Sequence, residues 1–381
     1  MNAYCEARFD PLPASATAAE LIARIGAAGI RGMGGGGFPT AQKLQAALDS
    51  RRHAGGAPIE LIANGVACEP GIDGDLLVLA EHGAAVMHAL HRLGMALAVP
   101  TPTLALGTRT AHLRGELEAA WPRAAPLKVL PVPAGVAAGA EPLLLRQAGV
   151  HLPDPNQPPA TQGIVVLNVL TLLAIGRAID HGELLTARPV TVAGATRWVH
   201  YGEPLTALLP EASGALRSGG PWSGRSAGAA ERVDATTLAV AAAGTTTADP
   251  CIGCGRCAPA CPVGLDPEAL WKHCADLPAS AVTLAEQASP DSALQQLASA
   301  GLDRCLECGY CNAVCPSAID LLAAFRQASD RGRALKASVA AAQRSAARYA
   351  RHEAREAQRD AARSERRAAR LQRRRDWTAS S

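Results

Sequence analysis

Cys251-Ile-Gly-Cys254-Gly-Arg-Cys257-Ala-Pro-Ala-Cys261-Pro262 and Cys305-Leu-Glu-Cys308-Gly-Tyr-Cys311-Asn-Ala-Val-Cys315-Pro316 are two copies of one pattern, C-x2-C-x2-C-x3-C-P. Two-residue gaps wrap the backbone round one face of an iron–sulfur cubane, so that three thiolates reach three irons. The fourth cysteine, followed by proline, points to the neighbouring cluster. This assigns Cys251, Cys254, Cys257 and Cys315 to one [4Fe–4S] cluster and Cys305, Cys308, Cys311 and Cys261 to a second. Gly253, Gly255 and Gly309 let backbone amides approach the sulfides. A structural zinc site would use two separated pairs instead. Cys5, Cys68 and Cys274 are left over and are expected to be buried thiols, since free cysteine packs as a small hydrophobe.

Outward from these motifs, 381 residues allow two or three domains. Aromatics are 3%, so the core must be built from Ala, Leu, Val and Ile. From Arg331 onward there are 15 Lys and Arg against 5 Asp and Glu, which leaves 22 basic against 29 acidic residues in the body. An acidic body with a basic end reads as an interaction tail. Its arginines Arg344, Arg348, Arg351, Arg355 and Arg359 recur at helical spacing among Glu353, Glu356 and Asp360, a solvated face with intrahelical ion pairs. With only Tyr349 and Trp377 for stacking, the tail is a poor binder of nucleic acid. No apolar run reaches the ~18–20 residues of a membrane span, and the first residues have no apolar signal core. The chain is expected to be soluble or peripheral.

Ahead of the cysteines, apolar strands alternate with helical patterns, the mark of an α/β layered domain. Helices are expected at 18–28, from about Thr40, at 76–93 and at 169–179, with strands at 59–63, 129–132 and 164–167. Asn64-Gly65 is expected to be a turn. Residues 188–245 read as a small β-rich domain: Pro189–Gly194 is a strand and turn, Gly202–Leu205 opens a short helix, and Gly219-Gly220-Pro221 is a turn. Thr245–Pro250 reads as a linker. The Ala/Arg-rich end suits one long helix or partial disorder. The expected domains are 1–185, 186–245, 246–330 and 331–381.

Gly32-Met-Gly34-Gly35-Gly36-Gly37-Phe38-Pro39-Thr40 precedes a helix, and such a loop offers backbone N–H groups to a phosphate or a flavin edge. The segment Arg31–Thr40, with Lys43 one turn on, resembles the flavin and NADH loop of the NADH-oxidising flavoprotein subunit of respiratory complex I, and of the C subunit of the Rnf (Rsx) electron-transport complex. Asn64-Gly-Val-Ala-Cys68-Glu69-Pro70, Gly139-Ala140-Glu141 and Asn168-Val-Leu-Thr171 resemble that family's further cofactor segments. The resemblance covers about residues 25–330 and, with the tandem cysteine motifs in this order, is greatest to the Rnf C subunit. It implies a Rossmann-like flavin domain, a β-grasp domain, a helical ferredoxin-like di-cluster domain and a basic helical tail. It implies FMN on Gly34, Gly35, Gly37 and Asn64, lined by Glu141, Asn168 and Thr171. Lys43 would lie near the FMN phosphate or near NADH, Phe38 would stack on a ring of NADH, and Glu69 would bind NADH. The implied partners are the other membrane subunits and ferredoxin, on the cytoplasmic face of a bacterial inner membrane, with electron flow coupled to ion movement. Ala67 stands where the family often has an acidic residue. The alternatives are a cluster-only electron-transfer module without flavin, and a cobalamin-reductase-like microcompartment protein.

Overall fold

The computed structural model describes residues 4–53, 55–154, 157–209, 216–242, 247–276, 298–299 and 301–379. The chain forms two compact units. One is Met1–Gly264 with Leu306–Asp320, the other Leu265–Cys305 with Leu321–Ser381.

The first unit runs through β1 (Cys5–Ala7), α1 (Ala18–Ala27), α2 (Thr40–His53), β2 (Glu60–Gly65), α3 (Gly74–Ala96), β3 (Thr103–Gly107), α4 (Arg114–Ala119), β4 (Lys128–Val132), α5 (Glu141–Ala148), β5 (Ile164–Asn168) and α6 (Val169–Asp180). Strands β2 to β5 form a parallel sheet in the order β4-β3-β2-β5. Strand side chains alternate between faces. Thus Leu61, Ala63, Leu104, Leu106, Val165 and Leu167 pack with the buried sides of α1, α3 and α6, while Ile62, Ala105, Ile164 and Val166 pack with Leu144 and Leu145 of α5. A sheet covered on both faces needs apolar residues at every position, and all five residues of β3 are buried. Each fully buried Leu of this core, such as Leu90 or Leu104, contributes roughly 1.5–3 kcal/mol relative to exposure. The helix starts are written locally. Glu20 N donates to the Thr17 hydroxyl at 3.3 Å, and Glu20 accepts from Thr17 N at 2.7 Å, a capping box that opens α1.

Three readings need correction. Asn64 and Gly65 are the last residues of β2, not a turn. Asn64 pairs with Asn168 on one side and Ala105 on the other, because β2 is a central strand whose backbone is satisfied from both neighbours. Residues Cys5–Ala7, where no strand was expected, pair antiparallel with β6 (Glu183–Leu185), a strand too short to show a period. Of the three leftover cysteines only Cys274 is buried; Cys5 and Cys68 are half-buried.

The chain continues through β7 (Ala187–Val192), β8 (Ala195–His200), α7 (Leu205–Leu208), β9 (Leu216–Ser218), β10 (Arg225–Ala227) and β11 (Ala239–Ala242). These strands make a second, mixed sheet in the order β10-β9-β11-β7-β8. Ala193 and Gly194, at φ 47° and 87°, turn the β7–β8 hairpin, the backbone sign that a two-residue hairpin loop demands. Val190, Val192, Val199, Leu205, Leu208, Leu216 and Val240 form its core. Of the expected linker, Thr245 and Thr246 lie outside the described residues.

The cysteine segment of the first unit has one-turn helix α8 (Cys257–Ala260). After α9 (Pro267–Asp276) in the second unit, the chain re-enters the first unit at α10 (Tyr310–Ala313) and leaves it for α11 (Leu321–Ala379). In the second unit α9 packs against the first turns of α11, where Leu322, Phe325 and Leu335 are buried. From Ala341 to Asp376 the helix is exposed on every face, a length of ~50 Å at 1.5 Å per residue. Arg363 pairs with Asp360 at 3.4 Å along it. No helix among the described residues is long and apolar enough to cross a membrane.

Candidate functional site

The chain runs from β2 to β3 to β4 in one direction across the sheet, then returns to place β5 on the far side of β2. This reversal makes a topological switch point between β2 and β5, and ligands of open parallel sheets bind outside the carboxyl ends of the strands there. Asn64, the last residue but one of β2, and Asn168, the last of β5, stand in register. The Asn64 amide donates to Gly139 O at 2.8 Å and accepts from Val66 N at 3.1 Å. Asn168 caps α6, accepting from Leu170 N at 2.9 Å, and donates to Asp75 Oδ1 at 2.8 Å.

The glycine loop lies over this end of the sheet. It closes on itself, Gly32 N donating to Phe38 O at 2.8 Å and Gly37 N to Gly32 O at 3.1 Å. A Cβ on Gly34 would lie 3.2 Å from that of Asn168. One on Gly37, whose φ is +62°, would lie 2.9 Å from Thr236 Cγ2, whereas one on Gly36 would meet nothing. Gly35 also has positive φ, at +103°. Underneath, the buried Thr171 hydroxyl accepts from Met33 N at 2.9 Å, so this residue supports the loop. Phe38 projects with 56% of its surface exposed. Lys43 donates to Glu141 Oε1 at 2.8 Å and to Val166 O at 2.9 Å, which brings two of the expected residues together at the rim. Glu69 is placed elsewhere: its carboxylate accepts from the Ser223 hydroxyl at 2.9 and 3.0 Å, on the turn that follows β9.

Four residues of this site escaped the sequence reading. Thr40, the first residue of α2, is buried, and among the described residues its hydroxyl has no hydrogen-bond partner. It follows the glycine loop directly, which was the available signal. Arg188 on β7 is 2% exposed, and donates to Met33 O at 3.1 Å and to Pro189 O and Ala235 O. An arginine inside an apolar strand was its signal. Ser223 had none. Asp75, in the first turn of α3, was legible only as an acid at a helix start. Burial pushes its carboxyl up to about 6, against the opposing pull of the Asn168 hydrogen bond and the Arg188 charge. The folded form therefore holds a proton on Asp75 that the unfolded chain gives up near its ordinary value. Stability from this group is fully present below about pH 4 and is lost as pH rises through about 6. Asp75→Asn should flatten the loss between pH 4 and 6.5 in denaturant titrations of the flavin-free protein. An unchanged slope would contradict the assignment.

These residues fit FMN. A glycine loop with an open face, a buried orphan hydroxyl at the start of α2 and two asparagine amides at the switch point are a set of polar groups without bulk, as an isoalloxazine and its phosphate require.

The cysteine segment repeats in backbone as well as in sequence. Gly255 and Gly309 sit at φ +67° and +70°, each one residue after the second cysteine of its copy, before α8 and α10 respectively. Asp249 N donates to Ser317 O at 2.9 Å, and the Ser317 hydroxyl to Pro250 O at 3.0 Å, closing the outer ends of the two copies together. None of the eight cysteines is in a disulfide; Cys251 and Cys254 are exposed and Cys257, Cys261, Cys305, Cys308, Cys311 and Cys315 half-buried. Seven belong to the first unit and Cys305 to the second. Among the described residues no three His, Cys, Asp or Glu side chains gather round a single ion. A cubane instead takes each thiolate on a separate iron, and this all-thiol donor set fits it.

Residues 25–177 match the Nuo51 FMN-binding domain family and residues 247–319 the 4Fe-4S dicluster domain family. Over 288 residues the chain is 31% identical to the C subunit of the ion-translocating oxidoreductase complex of Erwinia tasmaniensis, covering 70% of this chain and 35% of that one. The chain is a relative of that C subunit. Identity is 33% to the same protein of Serratia proteamaculans (67% of this chain, 38% of that one) and 33% to that of Vibrio cholerae (66% and 34%). The chain thus spans little more than a third of the length of these C-subunit relatives. In fold it is similar to chains of NAD+-reducing [NiFe]-hydrogenase. For the H2-reduced form the TM-score is 0.52 at 21% identity, over 87% of this chain and 67% of that one; for the air-oxidised form it is 0.50 at 22%, over 77% and 55%. The chain therefore carries an FMN-binding domain and an iron–sulfur domain in the order found in the sequence.

Proposed function

We propose that this chain is an NADH-dependent oxidoreductase subunit that exchanges electrons between NADH and FMN and passes them singly, through two [4Fe–4S] clusters, to membrane partners and ferredoxin, coupled to ion movement. The observation that carries the reading is the meeting of Asn64 and Asn168 at the switch point beneath the glycine loop, in the same unit as seven of the eight cluster cysteines. When bound, FMN supplies the conversion between a two-electron hydride and single electrons. The chain's own residues bind and orient. Gly34, Gly35 and Gly37 keep the loop free of side chains, Thr40 and Lys43 stand at the helix start for a phosphate, and Asn64, Asn168 and Glu141 line the sheet end. Thr171 and Arg188 hold the loop from below. Phe38 is free to cover a nicotinamide or adenine ring. In this reading the domains are 1–185 for FMN and NADH, 186–245 as a β-grasp, 246–330 for the clusters and 331–381 as the tail. The arginine face of α11 suits peripheral attachment on the cytoplasmic side of an inner membrane.

Anaerobically prepared protein should contain about one flavin and about eight irons per chain, as two [4Fe–4S] clusters require, and NADH should bleach the flavin bands. Iron without flavin, and no bleaching, would instead support the cluster-only module. Recovery of the protein with shell fractions, not membranes, would favour the cobalamin-reductase-like reading.

A further inference from the structure

The turn between β9 and β10, Gly219-Gly220-Pro221-Trp222-Ser223-Gly224, belongs to neither the flavin segments nor the cysteine motifs, yet it touches both. On one side Ser223 holds Glu69, its hydroxyl 2.9 and 3.0 Å from the two carboxylate oxygens and its N–H 3.3 Å from Oε1. A Cβ on Gly220 would fall 1.5 Å from the same carboxylate, so the contact needs glycine. On the other side the Trp222 and Tyr310 rings pack with centroids 4.9 Å apart at 45°. A Cβ on Gly309 would fall 2.0 Å from Trp222 O, a backbone atom that cannot swing aside. The turn is therefore wedged between the strand-end segment Asn64–Pro70 and the second cysteine motif, with glycine at both pinch points.

We propose that Glu69 is a positioning residue for the second cysteine motif: locked to Ser223, it holds the Trp222–Tyr310 contact in place and sets a fixed negative charge beside Cys308. This deepens the proposed function and rests on it for the presence of a cluster at that motif. Glu69 reaches the motif through Ser223, whose N–H lies 3.3 Å from Glu69 Oε1 and would lie 2.9 Å from a Cβ on Gly309, the residue that follows Cys308. Cluster potentials are set by net charge and by hydrogen bonding around the sulfurs. A carboxylate held at this distance disfavours the added electron, so its removal should make that cluster easier to reduce. The strut also fixes the separation between the flavin-binding strand ends and the cluster, and electron tunnelling weakens steeply with separation.

The test uses the full chain, prepared anaerobically and titrated with dithionite in place of NADH, followed by EPR. Glu69→Gln keeps the shape and removes the charge. It should favour reduction of one cluster about tenfold, equivalent to 59 mV for one electron, leave the other cluster where it was, and leave iron and flavin content unchanged. The shifted signal should be the one that Cys308→Ser abolishes. Ser223→Ala, which frees the carboxylate, should move the same signal in the same direction by less, and should alter Trp222 fluorescence. Wild-type titration in both variants, or an equal shift in both clusters, overturns the proposal. Wild-type protein without iron or flavin overturns the proposed function itself.

Discussion

Cys315→Ser should damage the cluster of the other motif and spare its own. The last cysteine of each copy is separated from its three companions by three residues and is followed by proline, so its thiolate is directed across to the neighbouring cubane. In the proposed reading Cys315 completes the set Cys251, Cys254, Cys257, while Cys261 serves Cys305, Cys308 and Cys311. The two outer ends are tied by the Asp249–Ser317 and Ser317–Pro250 hydrogen bonds, which keep the copies side by side as such an exchange requires. Iron content should fall from about eight toward four or, with a three-iron remnant, seven per chain. In EPR after reduction, the surviving signal should be the one that Cys254→Ser also leaves and that Cys308→Ser removes. Loss of the same signal in Cys315→Ser and Cys308→Ser would show that each copy keeps its own four ligands. Zinc in place of iron would remove the clusters from the account.

Arg188→Ala should be the most damaging single change outside the cysteines. The guanidinium is almost wholly buried on β7, and its donors go to carbonyls of three segments: Met33 in the glycine loop, Pro189 beside it and Ala235 ahead of β11. Burial lowers its pKa, and Tyr201, Asp75 and Asp234 act against that. Removing it leaves buried acceptors unpaired and takes away a positive charge that acts on Asp75. Losing one member of a buried charged network costs ~3–5 kcal/mol, a large share of the stability of an ordinary domain. The midpoint in denaturant should fall accordingly, and flavin should be lost before the fold is, because the glycine loop loses its support on one side. Arg188→Lys, which keeps the charge but not the three-way fork, should recover part of the stability and little of the flavin. A stability within about 0.5 kcal/mol of wild type, the range of an ordinary surface substitution, would remove this role.

Three strands of the parallel sheet, β2, β4 and β5, were legible from their apolar runs, whereas β3, buried at all five positions, was not among the expected strands; α1 carries its start signal in Thr17 and Glu20. The cluster ligands were legible because eight thiols at fixed spacing have few other uses. What could not be read was where distant segments meet. Asn64-Gly65 has the composition of a turn, and only its neighbours on both sides make it a strand end. Thr40 and Thr171 look alike as buried hydroxyls near helix starts, but the first has no hydrogen-bond partner among the described residues and the second holds up the loop. Glu69 was read by its company along the chain, and the Ser223 contact that fixes it comes from a turn with no motif of its own.

The pairing of Asn64 with Asn168 also has a temporal meaning. The two strands that carry them are neighbours in space but about 100 residues apart in the chain, so the crevice cannot exist on a nascent polypeptide until β5 has been made and has crossed back over the sheet. Domains emerge from the ribosome amino end first. An order is thereby built in: both strands that carry these asparagines are made before the first cysteine motif, so in the proposed reading the strand ends that face the flavin can meet before the first iron ligand is translated.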